Sequence, residues 1–269
     1  MQRKILIIDD HNDLAEALQE VFSHVGHSVR IVENRDDALA VEKKDRFDLI
    51  ITDLDIEALI PPLNLNGNNE SCLPDIDDLQ LTNNIKTFKL CAANFRRDGL
   101  DEEELKNLIA IVLDYKNRFV DKKEIVRNLH EIIEFELPSV LSLMHIVLEY
   151  LIKRVEKLGV VKSEQSNLFV ALDEAFVNAV KHGNKFDAAK LIRISADVTS
   201  KEAKFTIEDE GEGFDVNAIP NPLDPENLFK TSGRGVLFIY NIMDEVKYNE
   251  RGNRLTMVKK ANKPTDVEA

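Results

Sequence analysis

Basic side chains are scarce in this chain of 269 residues: 35 lysines and arginines face 49 aspartates and glutamates, for a net charge of −14. Residues 1–120 hold 14 basic and 24 acidic groups, so most of the imbalance sits there. Such a surface repels phosphate backbones, and no direct nucleic-acid binding is expected. Cysteine is scarcer still. Cys72 and Cys91 form no close pair and no metal-ligand spacing, which fits a reducing, cytoplasmic compartment. Long apolar runs are missing as well. None approaches the roughly 20 residues of a bilayer span, and the short run in MQRKILIIDD is no signal peptide, so no membrane partner is expected. Internal repeats and low-complexity tracts are absent.

What is present is ordinary globular material, 43% apolar and 31% charged, long enough for two domains. KILIIDD, Lys4 to Asp10, reads as a buried strand ending in acids. A helix with Leu14, Leu18 and Val21-Phe22 on one side follows. HSVRIV alternates like a second strand, RDDALAVEKK is a short helix, and FDLIITDLD is a third buried strand. Alternating strands and helices imply a parallel α/β sheet. The proline- and asparagine-rich stretch Pro61 to Thr82 breaks the rhythm and reads as a long irregular loop.

Order returns near residue 102. Leu105, Leu108, Val112, Tyr115, Phe119, Val126 and Leu129 follow steps of three and four, interrupted by Lys122. That pattern suits either a coiled-coil-like homodimer seam over 102–130 or one amphipathic helix packed on its own domain. EIIEFELP alternates as a strand stopped by Pro138. Then come a long helix over about Ser139–Leu158, a second helix, strands KLIRISADVT and EAKFTIEDE, a proline-rich turn, helix GVLFIYNIMDEV and a closing hairpin around Arg251-Gly252-Asn253. The order suggests one sheet under a helical layer.

Three pieces of this second half carry chemistry. In LDEAFVNAVKHGN, Glu174 and Asn178 lie one turn apart on the polar arc of an otherwise apolar helix. An oxygen from each suits Mg²⁺, which keeps waters and takes few protein ligands. A merely wet helix face would show the same residues. In EDEGEGFD, Asp209 ends a strand, and Gly211 and Gly213 permit a sharp turn. A buried carboxylate there could accept an amino hydrogen from a base such as adenine, or be an ordinary acidic turn. In TSGRGVLFI, Gly233, Arg234 and Gly235 open a helix whose N–H groups favour phosphate oxygens.

In this order and spacing, the three resemble the ATPase superfamily of gyrases, chaperones and histidine kinases. Within it they look most like the bacterial anti-sigma-factor serine/threonine kinases, over about Glu134 to Lys260. The short stretch between GFD and GRG suits that branch better than sensor kinases. The resemblance implies ATP and Mg²⁺ as cofactors. Asn178 would bind Mg²⁺ and Glu174 would be the general base. Asp209 would recognise adenine with Thr256 nearby through water. Gly211 and Gly213 would shape the pocket, Gly233, Arg234 and Gly235 would hold phosphates, and His182 would support the site.

In the front half, Asp9, Asp10 and Asp53 end strands of a parallel sheet and could share Mg²⁺, with Asp53 as phosphoacceptor. This resembles a response-regulator receiver domain. FKLCAANFRRDGLDEEEL looks like the family's fifth-strand region and last helix. Asp98-Gly99 stands where receivers carry lysine and proline, and no fourth strand ending in Ser or Thr appears. Two readings stand: Asp53 is phosphorylated by an upstream histidine kinase, or the receiver only docks. Lys89, Arg96 and Arg97 are alternative cations.

The expected fold is therefore an α/β, receiver-like, doubly wound parallel sheet (1–118), a helical linker (119–131), an α+β two-layer sandwich of the histidine-kinase-like ATPase type (132–262) and a tail (263–269). The expected function is a receiver-controlled serine/threonine kinase that phosphorylates an anti-sigma antagonist, sequesters a sigma factor, or both. A pure binding protein is the alternative. A histidine kinase using His130 is disfavoured, because the segment after His130 reads as a strand.

Overall fold

The structure is a computed structural model, and it describes residues 2–56, 85–95, 99–123, 129–162, 167–215 and 234–261. The front half runs β1 (Lys4–Asp9), α1 (Ala15–His24), β2 (Ser28–Val32), α2 (Arg35–Glu42) and β3 (Leu49–Ile56). β1 pairs in parallel with both β2 and β3. Its residues are buried on both faces: Ile5 and Ile7 join the main core with α1, while Leu6 and Ile8 join a smaller core under α2. That two-sided burial explains the uninterrupted apolar run of the sequence.

β4 (Ile85–Cys91) then departs from a purely parallel order. It runs antiparallel to β3, pairing Phe88 with Asp53. The mixed α/β sheet continues without a break into the second half, because β5 (His130–Pro138) pairs in parallel with β4. Beyond it every pairing is antiparallel: β6 (Leu191–Val198), β7 (Glu202–Asp209), β9 (Arg254–Lys260) and edge strand β8 (Glu245–Tyr248). The full order is β2-β1-β3-β4-β5-β6-β7-β9-β8. The expected boundary near residue 119 thus interrupts neither the sheet nor the core.

Among the described residues the helices α3 (Glu102–Tyr115), α4 (Met144–Lys157), α5 (Leu168–Asn178) and α6 (Arg234–Ile242) complete the set. Asp101 caps α3 by accepting from the Glu104 N–H at 2.9 Å. The seam residues Leu105, Leu108, Val112 and Leu129 are buried in the chain's own core, while Phe119 is exposed. The apolar stripe is therefore spent on intramolecular packing, as the single-domain reading of 102–130 requires. Val126 lies outside the described residues. α3 also widens into a π-helical turn, Lys116–Val120, followed by a 3-10 turn, Asp121–Lys123. The long helix after Pro138 begins as a 3-10 turn and ends before Gly159, whose φ of 83° suits a glycine-terminated helix.

Cys91, at the end of β4, is buried with its Sγ 3.8 Å from Glu136 Oε2. Cys72 lies outside the described residues. No described helix is long and apolar enough to cross a membrane.

Candidate functional site: a glycine-framed acid pocket and a buried ion chain

In the second half, α5 is apolar on the side formed by Leu168, Ala171, Leu172, Ala175 and Phe176, all buried. Glu174 and Asn178 sit half-buried on the other side, one turn apart. After Asn178 the helix widens into a π-helical turn, Ala179–Gly183. Such turns occur mostly as single bulges, often at functional sites. This one delivers Gly183 to the end of β7, where a side chain on Gly183 would overlap the Asp209 carboxylate. A side chain on Gly211 would meet the Gly183 carbonyl, and Gly213 adopts a φ of +78° against Arg251. From above, α6 brings Gly235 so close to Glu174 that a Cβ there would overlap its carboxylate. Glycine at these places lets three backbone segments approach two acids.

Asp209 is 8% exposed. Burial pushes its carboxyl above the ordinary range, and the Gly211 N–H, donating to Oδ1 at 2.8 Å, partly offsets this. Asn253 steadies the strand end by donating from Nδ2 to the Asp209 carbonyl at 2.8 Å. The buried Asn184 ties the π turn down, donating to the Leu191 carbonyl at 2.8 Å and accepting from the Glu210 N–H at 2.9 Å. Asn184 and Asn253 were missed as site-shaping residues, although Asn184 closes the HGN stretch.

His182 is exposed within the π turn. Arg234 opens α6, but its side chain lies outside what is described, as does Gly233. Thr256 is a correction. It pairs with Thr206, and their hydroxyls lie 3.5 Å apart. Asp209 is three residues past Thr206, so strand alternation puts the two on opposite faces of the sheet. Thr256 therefore points away from the pocket.

The front acids behave differently. Asp9 does not stand free for a metal. Its Oδ1 accepts the N–H groups of His11 at 3.1 Å and Asn12 at 3.0 Å, and its Oδ2 those of Leu14 at 2.9 Å and Ala15 at 2.8 Å. Those bonds fasten the start of α1 to the end of β1. Asp10 accepts from the Asp55 N–H at 2.9 Å, and burial raises its carboxyl. His11 donates toward Asp55, and that bond raises its imidazole. Among the described residues no group of three or more acids, histidines or cysteines is arranged to hold a metal. The expected Asp9–Asp10–Asp53 cluster is thus not formed, because backbone amides and one ammonium take its oxygens.

That ammonium is Lys116. It lies 2.8 Å from Asp53 Oδ2 and 3.0 Å from Oδ1, buried over the Phe88 ring. Burial pushes Asp53 up to about 7 against the pull of Lys116. Burial alone would lower Lys116, but Asp53, Asp121 and Glu131 together hold it above its ordinary value. None of the proposed cations fills this role: Lys89 meets Glu134 at 3.3 Å, and Arg96 and Arg97 lie outside the described residues. The chain of charges goes on. Lys116 reaches Asp121 at 3.1 Å, Arg154 on α4 reaches Asp121 at 3.4 Å, and Arg154 Nε reaches Glu131 on β5 at 2.7 Å. His130, at the head of β5, meets Asp197 at 2.7 Å across the sheet, as the strand reading required.

Comparisons with known proteins agree with this division. Residues 138–259 match the family described as histidine kinase-like ATPase domain, and residues 5–60 match the response regulator receiver domain. The receiver match stops before β4, the strand that turns antiparallel. The "Serine-protein kinase RsbW" of Staphylococcus epidermidis is 29% identical over 145 residues, covering 50% of this chain and 89% of that protein. Its namesake from Staphylococcus aureus strain JH9 is 29% identical over 140 residues, covering 48% of this chain and 86% of that protein. A "Response regulator receiver protein" of Anaeromyxobacter sp. strain Fw109-5 is 46% identical over 52 residues, 19% of this chain and 22% of that protein.

Proposed function

We propose that this chain, a receiver domain joined to a histidine-kinase-like ATPase domain, is an ATP-dependent serine/threonine protein kinase of the anti-sigma-factor type under receiver control. Its protein partners would be an antagonist that it phosphorylates, a sigma factor that it holds, or both. The observation that carries the reading is the close approach of Gly235 of α6 to Glu174 on α5, with Asn178 one turn further along that helix and the Asp209 carboxylate framed by Gly183 and Gly211.

Those residues fit a magnesium nucleotide. Asp209 commits Oδ1 to Gly211 and leaves Oδ2 to accept an amino hydrogen from adenine. Asn178 offers a neutral oxygen that suits Mg²⁺ shared with phosphates. The metal would neutralise charge on the phosphates, since phosphoryl transfer depends mostly on positioning and electrostatics. Glu174, half-buried and sealed by Gly235, would take the proton from an attacking hydroxyl oxygen. Backbone amides at the start of α6 would face phosphate oxygens. The receiver half supplies the input. A homodimer through 102–130 is not part of the proposal, because that seam is buried within the chain.

Calorimetry of the purified protein with ATP and excess Mg²⁺ tests the pocket, and no heat of binding would refute it. Radiolabelled ATP added to co-purifying partners tests the reaction. Acid-stable label on a partner is expected; nucleotide binding without transfer would leave a sequestering protein.

A further inference from the structure

Five charged side chains run unbroken from the receiver half to the helix layer of the kinase half: Asp53, Lys116, Asp121, Arg154 and Glu131. They come from β3, the π turn after α3, the 3-10 turn, α4 and β5 in turn. Lys116, Asp121, Glu131 and Arg154 are each about 1% exposed and Asp53 is 9% exposed. Among the described residues of this chain of charges, three carboxylates share two cations, so no cation satisfies every acid at once. Polar groups are also held in reserve. The hydroxyls of Thr52, next to Asp53, and Tyr150, on α4, are buried without a hydrogen-bond partner among the described residues. Unsatisfied buried groups need a reason, and a second arrangement of the network would supply one.

We propose that this ion chain couples the charge at Asp53 to the nucleotide helix α5, with Lys116 and Arg154 as its positioning residues. The ammonium of Lys116 is divided between Asp53 and Asp121. When Asp53 loses its charge, Lys116 is free to close on Asp121. Asp121 then holds Arg154 less well, at a contact that is already the longest of the four pairs, 3.4 Å. Arg154 is anchored in the buried face of α4, and α4 packs directly on α5. One visible contact is the edge-on pair of His145 on α4 and Phe169 on α5, with ring centroids 5.8 Å apart. Glu174 lies little more than one turn further along α5. Coupling of this kind requires an element with two arrangements that both sites bias, and the shared ammonium is that element.

The output rests on the kinase reading, but the test does not. Amide hydrogen exchange is measured on the full chain without nucleotide, for the parent and for Asp53→Asn. Protection of α4 and α5 amides is expected to fall about five-fold or more, the lower end of allosteric coupling. Adding Asp121→Asn to Asp53→Asn should change α5 no further, because the link is already cut. Changes confined to β1, β3 and residues 116–123, or additive effects of the two substitutions on α5, would overturn the proposal. If Asp53→Asn lacks a cooperative melt, Asp121→Asn alone decides: both the Asp53 strand and α5 must change, and movement at one end only refutes the link. Loss of ATP binding in the parent protein would sink the kinase reading and leave this exchange result standing.

Discussion

Both halves of the molecule set carboxylates at or near strand ends beneath a helix layer, and they treat them in opposite ways. In front, Asp9 gives its oxygens to four backbone N–H groups and Asp53 is closed off by Lys116. Behind, Glu174 of α5 and Asp209 at the end of β7 each keep an oxygen without a hydrogen-bond partner among the described residues, and glycine backbone abuts both carboxylates. The first arrangement answers to internal charge, and in the second glycine backbone comes directly up to the acids. Each site adjoins a π-helical turn, one presenting Lys116 and the other Gly183. The same backbone device thus presents a charged side chain in one half and bare glycine backbone in the other.

The largest test of that contrast is Glu174→Gln, which keeps the shape under Gly235 and removes the proposed base. Turnover should fall by about 10²–10⁴-fold, with ATP affinity by calorimetry nearly unchanged. Equal losses in both would move Glu174 from proton transfer to nucleotide binding. Next comes Lys116→Met, which leaves Asp53, Asp121 and Glu131 with Arg154 as their remaining cation in the chain of charges. Removing one partner from a buried pair costs about 3–5 kcal/mol, read as a lower urea midpoint. Asp53→Asn in the same chain should restore part of it. A Lys116→Met protein as stable as the parent would mean that the front acids are not held as described.

How much of this the sequence disclosed depended on whether a charge broke an apolar pattern. Strands and helices with clean periodicity, such as KILIIDD and LDEAFVNAV, read true, and so did the glycine bends of EDEGEGFD. Lys116 was missed, yet it lies four residues past Val112 and seven past Ile109, on the buried stripe of α3. Glu131 shares strand parity with Ile133 and Phe135, and Arg154 follows Tyr150 and Leu151 by helical steps. Three charges on three apolar faces were a visible signal of mutual pairing. What could not be read was direction: nothing in IKTFKLC says that β4 runs antiparallel to β3, because pairing sense depends on the connection and the partner.

A smaller effect separates the pocket frame from general packing. Gly183→Ala puts a methyl where the Asp209 carboxylate lies. Overpacking of this kind costs about 1–3 kcal/mol, and here it should appear as weaker ATP binding beyond any loss of melting temperature. Weakened stability with unchanged affinity would show that the glycine serves the fold and not the ligand.

The smallest expected effect is the most discriminating, because it sets family resemblance against sheet geometry. By resemblance, Thr256 reaches adenine through water. By register, it lies beside Thr206 on the face turned away from Asp209. If register governs, Thr256→Val costs no more than about 0.5 kcal/mol of stability, as for a surface substitution, and ATP affinity stays within about two-fold of the parent, the equivalent of that energy. A ten-fold loss of affinity would require Thr256 to reach the nucleotide, and the pairing of β7 with β9 would then have to shift by one residue. That slip would carry Leu255 and Met257 out of the core, so a true effect on binding would come with a large fall in stability.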